Sequence, residues 1–139
     1  MDTLTIPRMV FQRVARKGDT LGFRYRRNGI WQDLTWTQYG RAIKEVALAL
    51  DGLGLKPGDR SAILCNTRIE WHFADLGTLS LGALAVGIYP TLLPEDVAYI
   101  LKDSGSRVLF VEDWHQLEKV RSIWDECKDL EYVLSLIHI

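Results

Sequence analysis

Two cysteines, two histidines in helical stretches and three short polar clusters are the places in this 139-residue sequence where side-chain types allow chemistry beyond packing. A thiol attacks as its thiolate and needs a histidine or other cation beside it, yet no motif sets His72 or His115 next to Cys65. Cys65 and Cys127 stand 62 positions apart, without C-x-x-C pairing or zinc-type histidine spacing. Both therefore read as reduced, buried, small apolar residues. Asp113 could imitate a phospho-acceptor at a strand end, but D-x-x-Q from Asp113 to Gln116 reads as a capping box, and the acid cluster that would hold a metal beside an acceptor is missing. His72 and His115 read as helix-surface or edge-of-core residues. The five tryptophans read as packing residues, Trp31 and Trp36 beside a hairpin strand and Trp124 on the inner face of a helix. No P-loop, H-E-x-x-H, G-x-S-x-G or kinase set occurs. The glycines of residues 52–58 miss the dinucleotide fingerprint, because Pro57 stands where the third glycine is required and the segment follows a helix.

Those residues need elements to position them. Residues 1–17 carry Val10, Val14 and Ala15 among Arg8, Arg13, Arg16 and Lys17, the spacing of a short amphipathic helix. Leu21 to Arg27 alternates as a strand, Asn28-Gly29 is a strong hairpin signal, and a return strand runs from Ile30 to about Thr35. Arg24, Arg26 and Arg27 with the basic residues of the first helix would suit an anionic surface or a phosphate; a solvated hairpin face is the preferred reading, since charge runs usually mean that. Thr37 is the expected N-cap of a helix with Tyr39, Ile43, Val46, Ala47 and Leu50 on one face, ending at Gly52 or Gly54. From Arg60 onward strand and helix alternate. Strands are predicted at 60–65, 84–89, 107–112 and 132–137. Helices are predicted at 68–81, from Pro94 to Ser104, and from Asp113 with Leu117, Val120, Trp124 and Cys127 inward.

Short apolar runs joined by helical crossovers define the fold class: α/β, a mostly parallel sheet built of βαβ units with helices on both faces, preceded by an N-terminal helix and a β-hairpin. Leu76 to Pro94, nineteen residues without a charge, is then the buried helix-to-strand joint of the first unit. Gly77, Gly82 and Gly87 would let helix and sheet backbones approach closely. The stretch is long enough to span a membrane, but Pro90, three glycines, Thr78, Ser80 and Thr91 argue against that. In such sheets ligands collect outside the carboxyl ends of strands, here Cys65-Asn66-Thr67, Tyr89-Pro90-Thr91 and Glu112-Asp113.

Composition bounds the rest. With 47% hydrophobic and 25% charged residues the chain is globular, and seventeen basic against eighteen acidic residues argue against a nucleic-acid partner. The first residues lack a secretory profile, so the expected compartment is cytoplasmic.

Three pieces in fixed order carry a resemblance. They are KPGDRSAIL at 56–64, GAxxVGIYPT at 82–91 and VAYILKDSGSRVLFVED at 97–113, with GIWQDLTWTQY at 29–39 and IPRMVFQRVARKGD leading. In this order the chain resembles the N-terminal part of long-chain acyl-CoA synthetases, in the AMP-forming, adenylate-forming ligase superfamily, over nearly all of its length. The resemblance implies residues 1–139 to be a partial AMP-binding N-terminal domain, an incomplete portion of the large domain. It implies a parent enzyme that activates a fatty acid with ATP and Mg²⁺ through an acyl-adenylate and transfers it to coenzyme A. The phosphate-binding Ser/Thr/Gly-rich loop with its lysine is not in this sequence. No catalytic, cofactor-binding or metal-binding residue is assigned, and the fragment alone is expected to be inactive. Residues 134–139 fit the family poorly and are expected to be a non-native tail. A homodimer and a peripheral membrane contact stay open, as does the alternative of a non-catalytic α/β binding or interaction module.

Overall fold

A computed structural model describes residues 4–138. Helix α1 (Ile6–Lys17) starts at Thr5, whose hydroxyl accepts from the Arg8 N–H, with Pro7 in the first turn where a missing N–H costs nothing. Strands β1 (Leu21–Arg27) and β2 (Ile30–Thr35) form the antiparallel hairpin predicted by Asn28-Gly29. Both turn residues have positive φ, 51° and 79°, as a tight two-residue connection requires.

Helix α2 (Trp36–Gly52) is capped by Thr35, not by Thr37. Thr35 is extended and its hydroxyl accepts from Gln38 N, while the Gln38 side chain accepts from Thr35 N, a complete capping box. Thr37 already lies inside the first turn. The expected face of Tyr39, Ile43, Val46, Ala47 and Leu50 is buried.

Strands β3 (Arg60–Leu64), β4 (Leu84–Ile88), β5 (Val108–Val111) and β6 (Tyr132–Ser135) make one parallel sheet in the order β4-β3-β5-β6. Helices α3 (Ile69–Ser80), α4 (Pro94–Ser104) and α5 (Trp114–Arg121) make the crossovers. The period of two along a strand divides the core between the two faces. Ile63, Cys65, Val108 and Phe110 meet α2 and α3 through Ile43, Leu50, Phe73 and Leu76. Ala62, Leu64, Leu109 and Val111 meet the other layer through Val97, Leu101, Val120 and Ile123.

Several local expectations change. Trp124 is 42% exposed because α5 ends at Arg121 and a short 3₁₀ turn follows, resetting the helical phase so that Ile123 fills the core. Trp31 and Trp114 are exposed as well, outside the core and edge packing expected of them. Residues 76–94 are not buried throughout: β4 is an edge strand, Leu84 is 54% exposed, and Ile88 is the strand's buried residue. Of the three glycines in that stretch, Gly77 makes the close approach, and its neighbour is Val46 of α2 instead of the sheet. The last strand stops at Ser135, and Leu136, fully buried, begins a 3₁₀ turn. Leu134 and Ser135 pair in register with Phe110 and Val111.

The amino ends of the strands are tied by arginines. Arg107 donates to Asp59 (2.6 Å), Glu131 (3.0 and 2.8 Å) and the Gly54 carbonyl. Arg60 donates to the Gly58 and Gly105 carbonyls.

Candidate functional site

Strand direction in a parallel sheet carries the residues after β3, β4 and β5 to one edge. A cavity of about 380 Å³ lies there, lined by Cys65, Asn66, Thr67, Trp71, Tyr89 and Pro90 among others. Two of the three expected clusters thus meet around one opening, and Glu112 of the third joins them. Its Oε2 accepts from both the backbone N–H and the side-chain amide of Asn66, each at 2.8 Å. Asp113 does not join. Its carboxylate turns away to accept from Gln116 N at the start of α5.

The expected capping box at Asp113 is only half made. Gln116 does not return its side chain to the cap; its amide nitrogen donates to the Pro90 carbonyl at 3.2 Å. Its amide oxygen is buried without a hydrogen-bond partner among the described residues. One turn on, the Lys119 ammonium donates to the carbonyls of Pro90 (2.7 Å) and Leu92 (2.8 Å). Helix α5 therefore grips the segment between β4 and α4 that walls the cavity.

Beside the cavity lies an ionic network that the sequence reading missed. Glu70, in the first turn of α3 and 2% exposed, accepts from Arg68 at 2.7 Å and from Arg27 of the hairpin. Arg68 also reaches Glu112 at 3.7 Å. Burial pushes the Glu70 carboxyl up, but the Arg68 hydrogen bond, a backbone N–H and the charges of both arginines together hold it below its ordinary value. Glu70 was legible in principle. It shares a helical stripe with Phe73 and Gly77, so an acid there had to face the interior.

The same network answers the question of the hairpin patch. Arg24 pairs with Asp33 (2.6 Å), Arg26 donates to the Gly29 carbonyl and Arg27 is taken by Glu70. The three side chains do not form a common site for an anion, in line with the solvated-face reading.

Cys65 and Cys127 are free and buried. Burial, reinforced by the nearby Glu112 charge and only partly offset by Arg68, pushes the Cys65 thiol up to about 12, so it is held protonated. His72 is exposed, and its Nδ1 lies 3.3 Å from the Tyr39 hydroxyl, away from any thiol chemistry. Burial and the Asp75 charge raise Tyr39 to about 12. Among the described residues, no group of three or more His, Cys, Asp or Glu is placed to hold a metal ion. At this edge Glu112 accepts from Asn66 and lies 3.7 Å from Arg68, and Asp113 accepts from Gln116 N.

A parallel sheet covered on both faces, entered through a helix and a hairpin, with its opening at the carboxyl edge, is the architecture of the N-terminal domain of adenylate-forming enzymes. The N-terminal domain of FACL13 from Mycobacterium tuberculosis superposes with a TM-score of 0.87 at 25% identity, over 98% of this chain and 35% of that one. The family model for AMP-binding enzymes matches residues 10–137, and the chain belongs to that family. Among curated relatives, the human long-chain-fatty-acid–CoA ligase ACSBG1 is 32% identical over 130 residues, 94% of this chain and 18% of the relative. The long-chain-fatty-acid–CoA ligase FadD15 of Mycobacterium bovis is 36% identical over 128 residues, 92% of this chain and 21% of its own length. The chain therefore spans about a fifth of the length of these relatives. Among the described residues, no helix is long and apolar enough to cross a membrane.

Proposed function

We propose that this chain is the N-terminal scaffold of a long-chain fatty acid:CoA ligase of the AMP-forming type. The carrying observation is the family match over residues 10–137 together with relatives named as long-chain-fatty-acid–CoA ligases. The parent joins a fatty acid carboxylate to the α-phosphate of ATP, releasing pyrophosphate, and the thiol of coenzyme A then displaces AMP. ATP, Mg²⁺ and coenzyme A belong to that parent. Its phosphate loop lies outside these 139 residues, so the chain contributes framework and turns over nothing alone. Losing one preorganised donor at a charge-developing centre costs on the order of 10² to 10³ in rate, and here the whole phosphate site is missing. We place the parent in the cytoplasm, with a peripheral membrane contact for its lipid substrate.

Fatty-acid-dependent ATP–pyrophosphate exchange tests this directly. The 139-residue chain is expected to give none, and the product of the complete reading frame to give a robust signal. Exchange by the chain alone would overturn its inactivity. A complete product that ignores fatty acids would overturn the ligase assignment. One observation favours a second reading, an interaction module: among the described residues β4 and β6 are the outer strands of the sheet, and such edges promote association. Sedimentation as a monomer across a wide concentration range would count against it.

A further inference from the structure

The geometry points to Lys119 as a positioning residue for the cavity at the carboxyl edge. The segment after β4 has few internal ties: Tyr89 is 78% exposed, Leu92 packs in part against the core, and among the described residues one turn bond, from Leu92 N to the Tyr89 carbonyl, lies within it. The Lys119 ammonium, half-buried on α5, satisfies two of its three N–H donors on main-chain carbonyls of that segment. These bonds are charge-assisted and short, 2.7 and 2.8 Å, and they act on backbone atoms, so they set where the chain runs regardless of the side chains it carries. Gln116, one turn earlier and 5% exposed, adds a third bond to the segment, its amide nitrogen donating to the Pro90 carbonyl. Pro90 has no N–H of its own, which leaves its carbonyl as the backbone handle for α5 to hold.

Tyr89 and Pro90 line the cavity together with Asn66 and Trp71. Lys119 therefore sets the width of that opening without lining it. In the parent enzyme, and resting on the ligase reading for this consequence alone, Lys119 governs how tightly a substrate group seats at this edge while leaving the reacting atoms untouched.

Two arms test the assignment, and the first needs no activity. Amide hydrogen exchange of residues 89–93 is measured in the 139-residue chain as wild type, Lys119→Met and Lys119→Arg. In folded Lys119→Met, exchange in this segment is expected to rise by about tenfold or more while β3 and β5 stay protected; Lys119→Arg, which keeps the charge and donors, is expected to recover most of the protection. Unchanged exchange in a folded Lys119→Met chain overturns the proposal. Should that variant fail to fold, the wild-type Lys119 ammonium decides by NMR: its protons must exchange with water slowly beside those of exposed Lys44, and equal rates overturn the proposal. In the second arm, the complete ligase carrying Lys119→Met is expected to show a KM for ATP or fatty acid raised about tenfold, with kcat nearly kept and Lys119→Arg restoring KM. Equal KM in all three overturns the functional consequence. A wild-type ligase without activity overturns the ligase reading and leaves the exchange result standing.

Discussion

Glu70 is the residue on which the hairpin and the sheet depend together. Burying a carboxylate is costly unless donors replace its water, and here two guanidinium groups do so, Arg27 at one carboxylate oxygen and Arg68 at the other. Removing the charge strands both partners. Because Arg27 and Arg68 keep some solvent access, the loss is smaller than for a fully enclosed pair, and Glu70→Gln is expected to lower stability by about 2 kcal/mol in urea unfolding. Cys65 illustrates the opposite situation. Its place beside the cavity invites a nucleophile reading, but a thiol raised to about 12 stays protonated at neutral pH, so labelling by a thiol reagent is expected to be slow in the folded chain and fast in urea.

Two contacts between elements carry sharper expectations. Gly77 lets α3 lie against α2, because a Cβ there would sit 2.6 and 2.9 Å from Val46. Gly77→Ala is therefore expected to cost about 1 to 3 kcal/mol, and pairing it with Val46→Ala should return part of that loss. Gly87→Ala is the control, since its nearest neighbour, the Trp71 ring, would be an ordinary 3.6 Å away. The second contact is the α2 cap. Thr35→Ala is expected to cost about 1 kcal/mol, whereas Thr37→Ala, at an exposed first-turn position, should change stability by no more than about 0.5 kcal/mol. Thermal melts of the pair separate the two caps. Thr37 also carries a hydroxyl of the kind that caps a helix, but the extended backbone at Thr35 and the reach of Gln38 put the boundary two residues earlier.

Across the molecule, both edges of the sheet lean on carboxylates. The Lys56 backbone N–H, with Arg107 beside it, holds Asp59 below its ordinary value; the Arg107 hydrogen bond does the same for Glu131, and Glu70 shares the direction. A folded-state value below the unfolded one means that the unfolded chain binds more protons in between. This stability is fully present above about pH 4.5, the ordinary glutamate value, and is lost as pH falls through the depressed folded values. Asp75, raised by burial, works the other way and softens the loss. The urea midpoint is thus expected to be insensitive to these groups from pH 7 to 5 and to drop steeply below about 4. Arg107→Met should flatten that drop, since it removes the cause of the shift at Glu131 and part of that at Asp59.

The sequence by itself determined the alternation of elements, the hairpin at Asn28-Gly29, the two-faced burial of β3 and β5, and the family through ordered motifs such as VGIYPT. These are local or periodic properties, and a period of two or 3.6 is visible in one dimension. Only the tertiary structure decided that β4 lies at an edge, since strand order is a choice among pairings that look alike in sequence. Glu70 meeting Arg27 across 43 residues, and Lys119 meeting Pro90 across 29, were equally hidden. Such contacts arise where crossovers bring distant turns to one end of a sheet, and there the candidate site lies.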